Sequence, residues 1–215
     1  MKQRRRYYLW ASALLAAFVV WTLLLRLVDV QAIGPCASRV GFAALNGWVH
    51  GLTGVHMWLY TVTDWLGLVP IGVALSFAVL GLVQWIARKR LGRVDRSLFV
   101  LGGFYLAVMA VFVFFEYCVI NYRPVLIEGY LAASYPSSTT LLVMCVMPTA
   151  GMQLKHRMKN GALRKGALNV IWTFLAFMVL VRLVSGVHWV SDIIGGALIS
   201  ASLVTFYAGT ADAQS

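Results

Sequence analysis

Apolar residues in this chain gather into long uninterrupted runs, unlike the alternating or one-faced patterns of soluble strands and helices. Six runs can be read, near residues 7–28, 69–87, 98–115, 138–154, 167–184 and 188–208. Each is close to the roughly 20 residues an α-helix needs to cross about 30 Å of hydrocarbon. Backbone N–H and C=O groups cannot go unpaired in lipid, and no ten-residue alternation suggests a barrel, so the runs are predicted to be helices. The expected fold is all-α: a single polytopic membrane domain over residues 1–215 with six transmembrane helices. The longest connector, about 29–68, mixes Gly34, Pro35, Gly41, Gly47, Gly51 and Gly54 with Trp48, Trp58, Tyr60 and Trp65. Such a mixture suits short interfacial helices in the first outer loop, where Trp and Tyr sit between lipid and water.

Composition agrees with lipid as the main solvent: 61% of residues are hydrophobic, 12% are charged, and mean hydropathy is +0.81. Charge then predicts orientation. Of 18 Lys and Arg residues, 14 fall in three places: Lys2 and Arg4 to Arg6; Arg88, Lys89, Arg90, Arg93 and Arg96; Lys155, Arg157, Lys159, Arg164 and Lys165. By the positive-inside bias these are the cytoplasmic segments, which puts both termini on the cytoplasmic side of the cell membrane. Five of the seven acidic residues, Asp29, Asp64, Glu116, Glu128 and Asp192, fall on or near the opposite face. The net charge of +11 is thus a topology signal, and the basic clusters are juxtamembrane loops with no nucleic-acid partner implied. The basic start followed by the run from Tyr7 to Val28 reads as an uncleaved first span. Cys36, Cys118 and Cys145 have no metal-like spacing; only the first two could meet outside the membrane. His50 and His56, six residues apart, read as interfacial histidines, and His156 as a loop residue.

Three polar segments stand at span ends on the outer side: Glu116 to Pro124, Tyr135 to Thr140, and Arg182 to Asp192. His188 and Asp192 are four apart, so on a helix entering the membrane they would share one face. A carboxylate accepting one ring N–H fixes the imidazole tautomer and leaves the other nitrogen as a nucleophile. Arg123 and Arg182 supply two planar guanidinium forks, which match phosphate oxygens. The run Tyr135-Pro136-Ser137-Ser138-Thr139-Thr140 opens the fourth span with hydroxyls at a helix N-terminus, an anion-binding arrangement. A lone Arg at a span end is usually a snorkelling anchor, and Ser-Thr pairs usually bond to their own helix. Here all of them fall on the side opposite the basic loops.

Together these segments resemble the type-2 phosphatidic acid phosphatase family of integral membrane lipid phosphatases. Its motifs read Lys-x6-Arg-Pro, Pro-Ser-Gly-His and Ser-Arg-x5-His-x3-Asp. Arg182, His188 and Asp192 match the third motif at the right spacing, with Val181 in place of Ser. Arg123 and Pro124 match the first, with Glu116 where Lys would stand. The second keeps Pro136 and Ser137 but has Ser138 for Gly and Thr139 for His. The resemblance implies that His188 attacks phosphorus and becomes a phosphohistidine, that Asp192 orients it, and that Arg123, Arg182, Ser137 and Ser138 hold phosphoryl oxygens. It implies no metal or other cofactor. Glu116, Thr139 and Tyr135 would be accessory, and the partner would be a membrane lipid carrying phosphate or pyrophosphate.

The family's missing histidine is the one that protonates the leaving oxygen, and Thr139 cannot replace it as an acid. General acid help is typically worth about 10² to 10⁴-fold, and an alkoxide leaving group depends on it far more than a departing phosphate does. A lipid pyrophosphate, such as a polyprenyl pyrophosphate, is therefore the expected substrate in preference to phosphatidic acid. Glu116 is expected to pair with Arg123 or Arg182. Two other readings stay open: a non-hydrolytic relative that binds or translocates a phosphorylated lipid, and a transferase between lipids. Retention of His188 with Asp192 counts against the first, and nothing marks an acceptor site for the second.

Overall fold

The computed structural model describes residues 2–211. In chain order the helices are α1 (Lys2–Leu27), α2 (Ala43–Thr53), α3 (Met57–Leu66), α4 (Leu68–Arg88), α5 (Arg96–Tyr117), α6 (Ser138–Arg157), α7 (Gly161–Val184) and α8 (Val190–Ala211). Six are long, and α2 and α3 are the short pair in the first long connector. Five stretches are long and apolar enough to cross a membrane: α1, α3 with α4, α5, α7 and α8. The exception is α6, whose Thr149, Gly151 and Gln153 dilute its apolar content. Its length of 20 residues still spans about 30 Å. It is diluted because it faces protein: from Thr140 to Leu154 no residue is exposed, and it packs on α4, α5, α7 and α8. The outer helices show the reverse pattern, with Leu9, Leu23, Leu75, Leu106, Val170 and Leu180 all exposed. Large apolar side chains on an outer surface fit a lipid solvent, and the chain is a multi-pass membrane protein.

The basic segments collect at one end of the bundle. There Arg157, closing α6, reaches Asp95 before α5 at 3.0 Å, while Arg88, closing α4, reaches the same carboxylate at 3.1 Å. Tyr8 of α1 packs on Phe206 of α8 at this end, and Gln153 donates to the Tyr207 hydroxyl at 2.7 Å. At the other end, α2 and α3 cross near the α7–α8 turn. Two close approaches fasten them there. Gly186 has φ +67°, and a Cβ on it would lie 1.8 Å from the Gly54 carbonyl oxygen, so only glycine allows this contact. The His56 N–H then donates to the Ser185 carbonyl at 2.9 Å. Within the bundle, α8 packs most extensively on α1. Gly195 gives α8 room for the Tyr135 ring, which a Cβ would meet at 2.4 Å.

One sequence expectation changes here. His188 is not on a helix: α8 begins at Val190, and His188 lies in the turn before it. The reason is local. Asp192, at the third helical position, accepts the Trp189 N–H at 2.9 Å and so caps the first turn of α8 one residue after His188. Cys36 and Cys118 are free exposed thiols.

Candidate active site

The site assembles from four pieces of chain around the turn that carries His188. The loop between α5 and α6 doubles back, with Arg123 N–H donating to Ala132 O at 3.0 Å and Ser134 N–H to Asn121 O at 3.0 Å. This fold-back sets Arg123 beside Ser134. The loop is then docked on α8: Trp189 Nε1 donates to Tyr122 O at 2.7 Å, Asn121 Nδ2 to Asp192 Oδ1 at 3.4 Å, and the Ser137 N–H to Asp192 O at 3.1 Å. From the opposite side, Asn46 of α2 holds the start of α8 twice, donating to Ser191 Oγ at 2.9 Å and accepting its N–H at 3.1 Å. Trp21 of α1 adds a bond from Nε1 to Ser191 O at 3.1 Å.

His188 and Asp192 meet inside this frame. Both are buried, and Nδ1 lies 3.7 Å from Asp192 Oδ2, just longer than a hydrogen bond. Catalytic hydrogen bonds often tighten only when substrate arrives. Burial, reinforced by the positive charges of Arg123 and Arg182, pushes the His188 imidazole well below its ordinary value. It is therefore neutral near pH 7 and has a lone pair to use.

Arg182, in the last turn of α7, is only 1% exposed. Its Nη1 donates to Thr63 Oγ1 at 3.1 Å and to the Tyr60 carbonyl at 3.5 Å, and Nη2 lies 3.8 Å from Asp64. Arg123 donates from Nε to Ala133 O at 3.2 Å. The remaining polar atoms are telling: Arg123 Nη1, Arg182 Nε, Ser134 Oγ and both His188 ring nitrogens are buried without a partner. Leaving such groups unpaired costs about 1–3 kcal/mol each, more for charged ones. Five in one neighbourhood is the mark of a site that satisfies them with a ligand.

A cavity of about 70 Å³ lies at this point, its wall including Arg123, His188, Ser134, Ser138 and Glu116. Beside it runs an apolar groove of about 530 Å³ between α4, α5 and α6, and Phe112, Ser138 and Leu141 belong to both. The expected site residues divide between them. Ser138 faces both spaces, whereas Thr139 faces only the groove. Ser137 is fully buried, and its hydroxyl caps α6 by accepting from the Thr140 N–H at 3.5 Å and the Thr140 hydroxyl at 3.1 Å. Tyr135 lines the cavity, but its hydroxyl is turned to Thr22 of α1 at 2.6 Å. Glu116 lines the cavity too, exposed, and forms no ion pair with either arginine. The carboxylate near Arg182 is Asp64, brought by α3. Sequence reading gives no site role to Tyr60, Thr63, Asp64, Asn121 or Asn46. Only the acidity of Asp64 at a span end could have drawn notice.

Residues 116–214 match the family model of the PAP2 superfamily. Over that stretch, 99 of 215 residues, the chain is similar to the superfamily. The matched stretch begins at Glu116 and contains Arg123, Ser137, Ser138, Arg182, His188 and Asp192, while α1 to α4 lie outside it. Over nearly its whole length, the chain is similar in fold to a crystal structure described as the first transmembrane PAP2 type phosphatidylglycerolphosphate phosphatase from Bacillus subtilis. The TM-score is 0.59 at 18% identity, covering 94% of this chain and 95% of that one. No curated protein matches the sequence.

Proposed function

We propose that this protein is a membrane lipid phosphatase that hydrolyses a lipid pyrophosphate of the polyprenyl type at the outer face of the cell membrane. Its two termini would lie in the cytoplasm, in keeping with the basic segments at the opposite end of the bundle. In this reading His188 Nε2 attacks the terminal phosphorus with its lone pair. The bridging P–O bond breaks, its electron pair leaves with the lipid monophosphate, and Asp192 takes the hydrogen bond from Nδ1 of the new cation. Water then attacks the phosphohistidine, releasing phosphate and restoring the imidazole. Arg123, Arg182, the Ser138 hydroxyl and the free N–H groups at the start of α6 would hold the equatorial oxygens. The 530 Å³ groove beside the cavity supports a lipid, with its tail between α4 and α5 and its head against Ser138.

The observation that carries the pyrophosphate reading is the cavity wall: among the described residues His188 is its only imidazole, and Thr139 faces the groove. A site with a nucleophile and a clamp but no second histidine favours a leaving group already stable as an anion. The test is phosphate release by purified protein from farnesyl pyrophosphate and from phosphatidic acid in the same detergent. Faster release from the pyrophosphate, abolished by His188→Ala, is expected. Equal or faster release from phosphatidic acid overturns the substrate preference, and no release from either overturns the hydrolase.

A further inference from the structure

Both arginines of the site lie against one aromatic ring. The guanidinium carbon of Arg182 is 4.6 Å from the Tyr60 ring centroid, and that of Arg123 is 5.7 Å from it. The two carbons are therefore no more than about 10 Å apart. Two like charges this close in a largely buried site repel one another until an anion arrives. The face of an aromatic ring carries partial negative charge and attracts each guanidinium within about 6 Å. It does so without a formal charge, so it does not compete with phosphate for the arginine N–H groups as a carboxylate would. Those N–H groups remain available: Arg182 Nε and Arg123 Nη1 are buried and unpartnered. Tyr60 itself is placed by α3, whose Thr63 and Asp64 also engage Arg182.

We propose that Tyr60 is a positioning residue of the phosphate site, its ring holding Arg123 and Arg182 together as a clamp for the anion. The inference rests on the phosphate-binding reading of the site. It extends that site to α3, which lies outside the stretch that matches the PAP2 family model.

The test is orthovanadate and inorganic phosphate binding to the full chain in detergent, followed by thermal shift, with KM and kcat for farnesyl pyrophosphate alongside. Tyr60→Phe should bind both anions within about twofold of wild type, since the ring carries the effect. Tyr60→Leu should weaken binding and raise KM by about tenfold, with kcat changed less than threefold. A series of mono-, di- and trifluorophenylalanine at position 60 keeps the shape while withdrawing charge from the ring face. Relative to Tyr60→Phe, the dissociation constants should rise steadily along it, a trend that a purely structural ring would not produce and that does not depend on Tyr60→Leu folding. Flat constants across the series, with wild type binding normally, overturn the role of Tyr60 alone. Failure of wild type to bind either anion removes the phosphate-site reading and this inference with it.

Discussion

Replacing Asp192 by Asn tests the roles of this residue in one change, because the two side chains have the same shape. Asp192 accepts the Trp189 N–H at 2.9 Å and the Asn121 amide at 3.4 Å, and lies 3.7 Å from His188 Nδ1. An asparagine oxygen can keep the Trp189 bond, so the start of α8 survives. Its NH2 group then takes the Oδ1 position and meets the Asn121 NH2, donor against donor, while the amide oxygen stays on the side of the imidazole. Loss of one buried hydrogen bond with a donor left unpaired costs about 1–3 kcal/mol, a fall in Tm of roughly 2–10 °C for a chain of this size. Activity should suffer far more. The neutral amide oxygen left facing Nδ1 cannot balance the imidazolium charge that forms as Nε2 attacks, and the loss should approach about 10⁴-fold, roughly 5 kcal/mol of barrier. Steady-state phosphate release from farnesyl pyrophosphate measures the second effect and a melting curve in detergent the first. An Asp192→Asn protein that melts near wild type and keeps more than a tenth of its activity would falsify the assigned partnership of His188 and Asp192.

Three further outcomes follow from the geometry. Gly186→Ala forces a Cβ into the Gly54 carbonyl and an L-residue into left-handed backbone, which alone costs about 1–2 kcal/mol; its melting temperature should fall by at least roughly 4 °C, and an unchanged one contradicts the docking of the α2–α3 pair on the α7–α8 turn. Glu116→Lys replaces an unpaired carboxylate on the cavity wall by a cation, so orthovanadate should inhibit it at lower concentration than wild type; equal or weaker inhibition places Glu116 away from the bound anion. Asp95, bonded by Gln84 and flanked by Arg157 and Arg88, is held down to about 2. A carboxylate depressed in the folded state stabilises the protein above its unfolded value and loses that contribution as pH falls through the folded one. Wild type should therefore lose stability between about pH 4 and 2, and Asp95→Asn, weaker at neutral pH, should lose less over that window in acid melting curves.

Some of this was readable because it depends on composition along the chain. Lipid tolerates only helices with their backbone bonds closed, so runs of apolar residues lead directly to α1, α4, α5, α7 and α8. The fourth run, 138–154, is legible as a helix, yet α6 falls short of the apolar content of the other long helices, and its burial among four neighbours explains why. The spacing from Arg182 to His188 to Asp192 was equally visible, since short-range motifs keep their geometry within one segment.

What sequence could not show is how distant segments meet. The stacking of His188 and Asp192 on one helical face fails because Asp192 spends an oxygen on the Trp189 N–H and so starts α8 after His188. The partner expected for Glu116 is absent because α3, about 120 residues before Arg182, brings Asp64, Thr63 and the Tyr60 ring to that guanidinium instead. Ser137 looks like a phosphate ligand in a motif and proves to be a helix cap in three dimensions. The chain by itself determined which residues were dissolved in lipid and which four were candidates for phosphate chemistry, because both follow from residue type and local spacing. Tertiary structure decided which of them face the cavity and what holds the arginines in place, because those contacts join α3, the α5–α6 loop and the α7–α8 turn across most of the sequence.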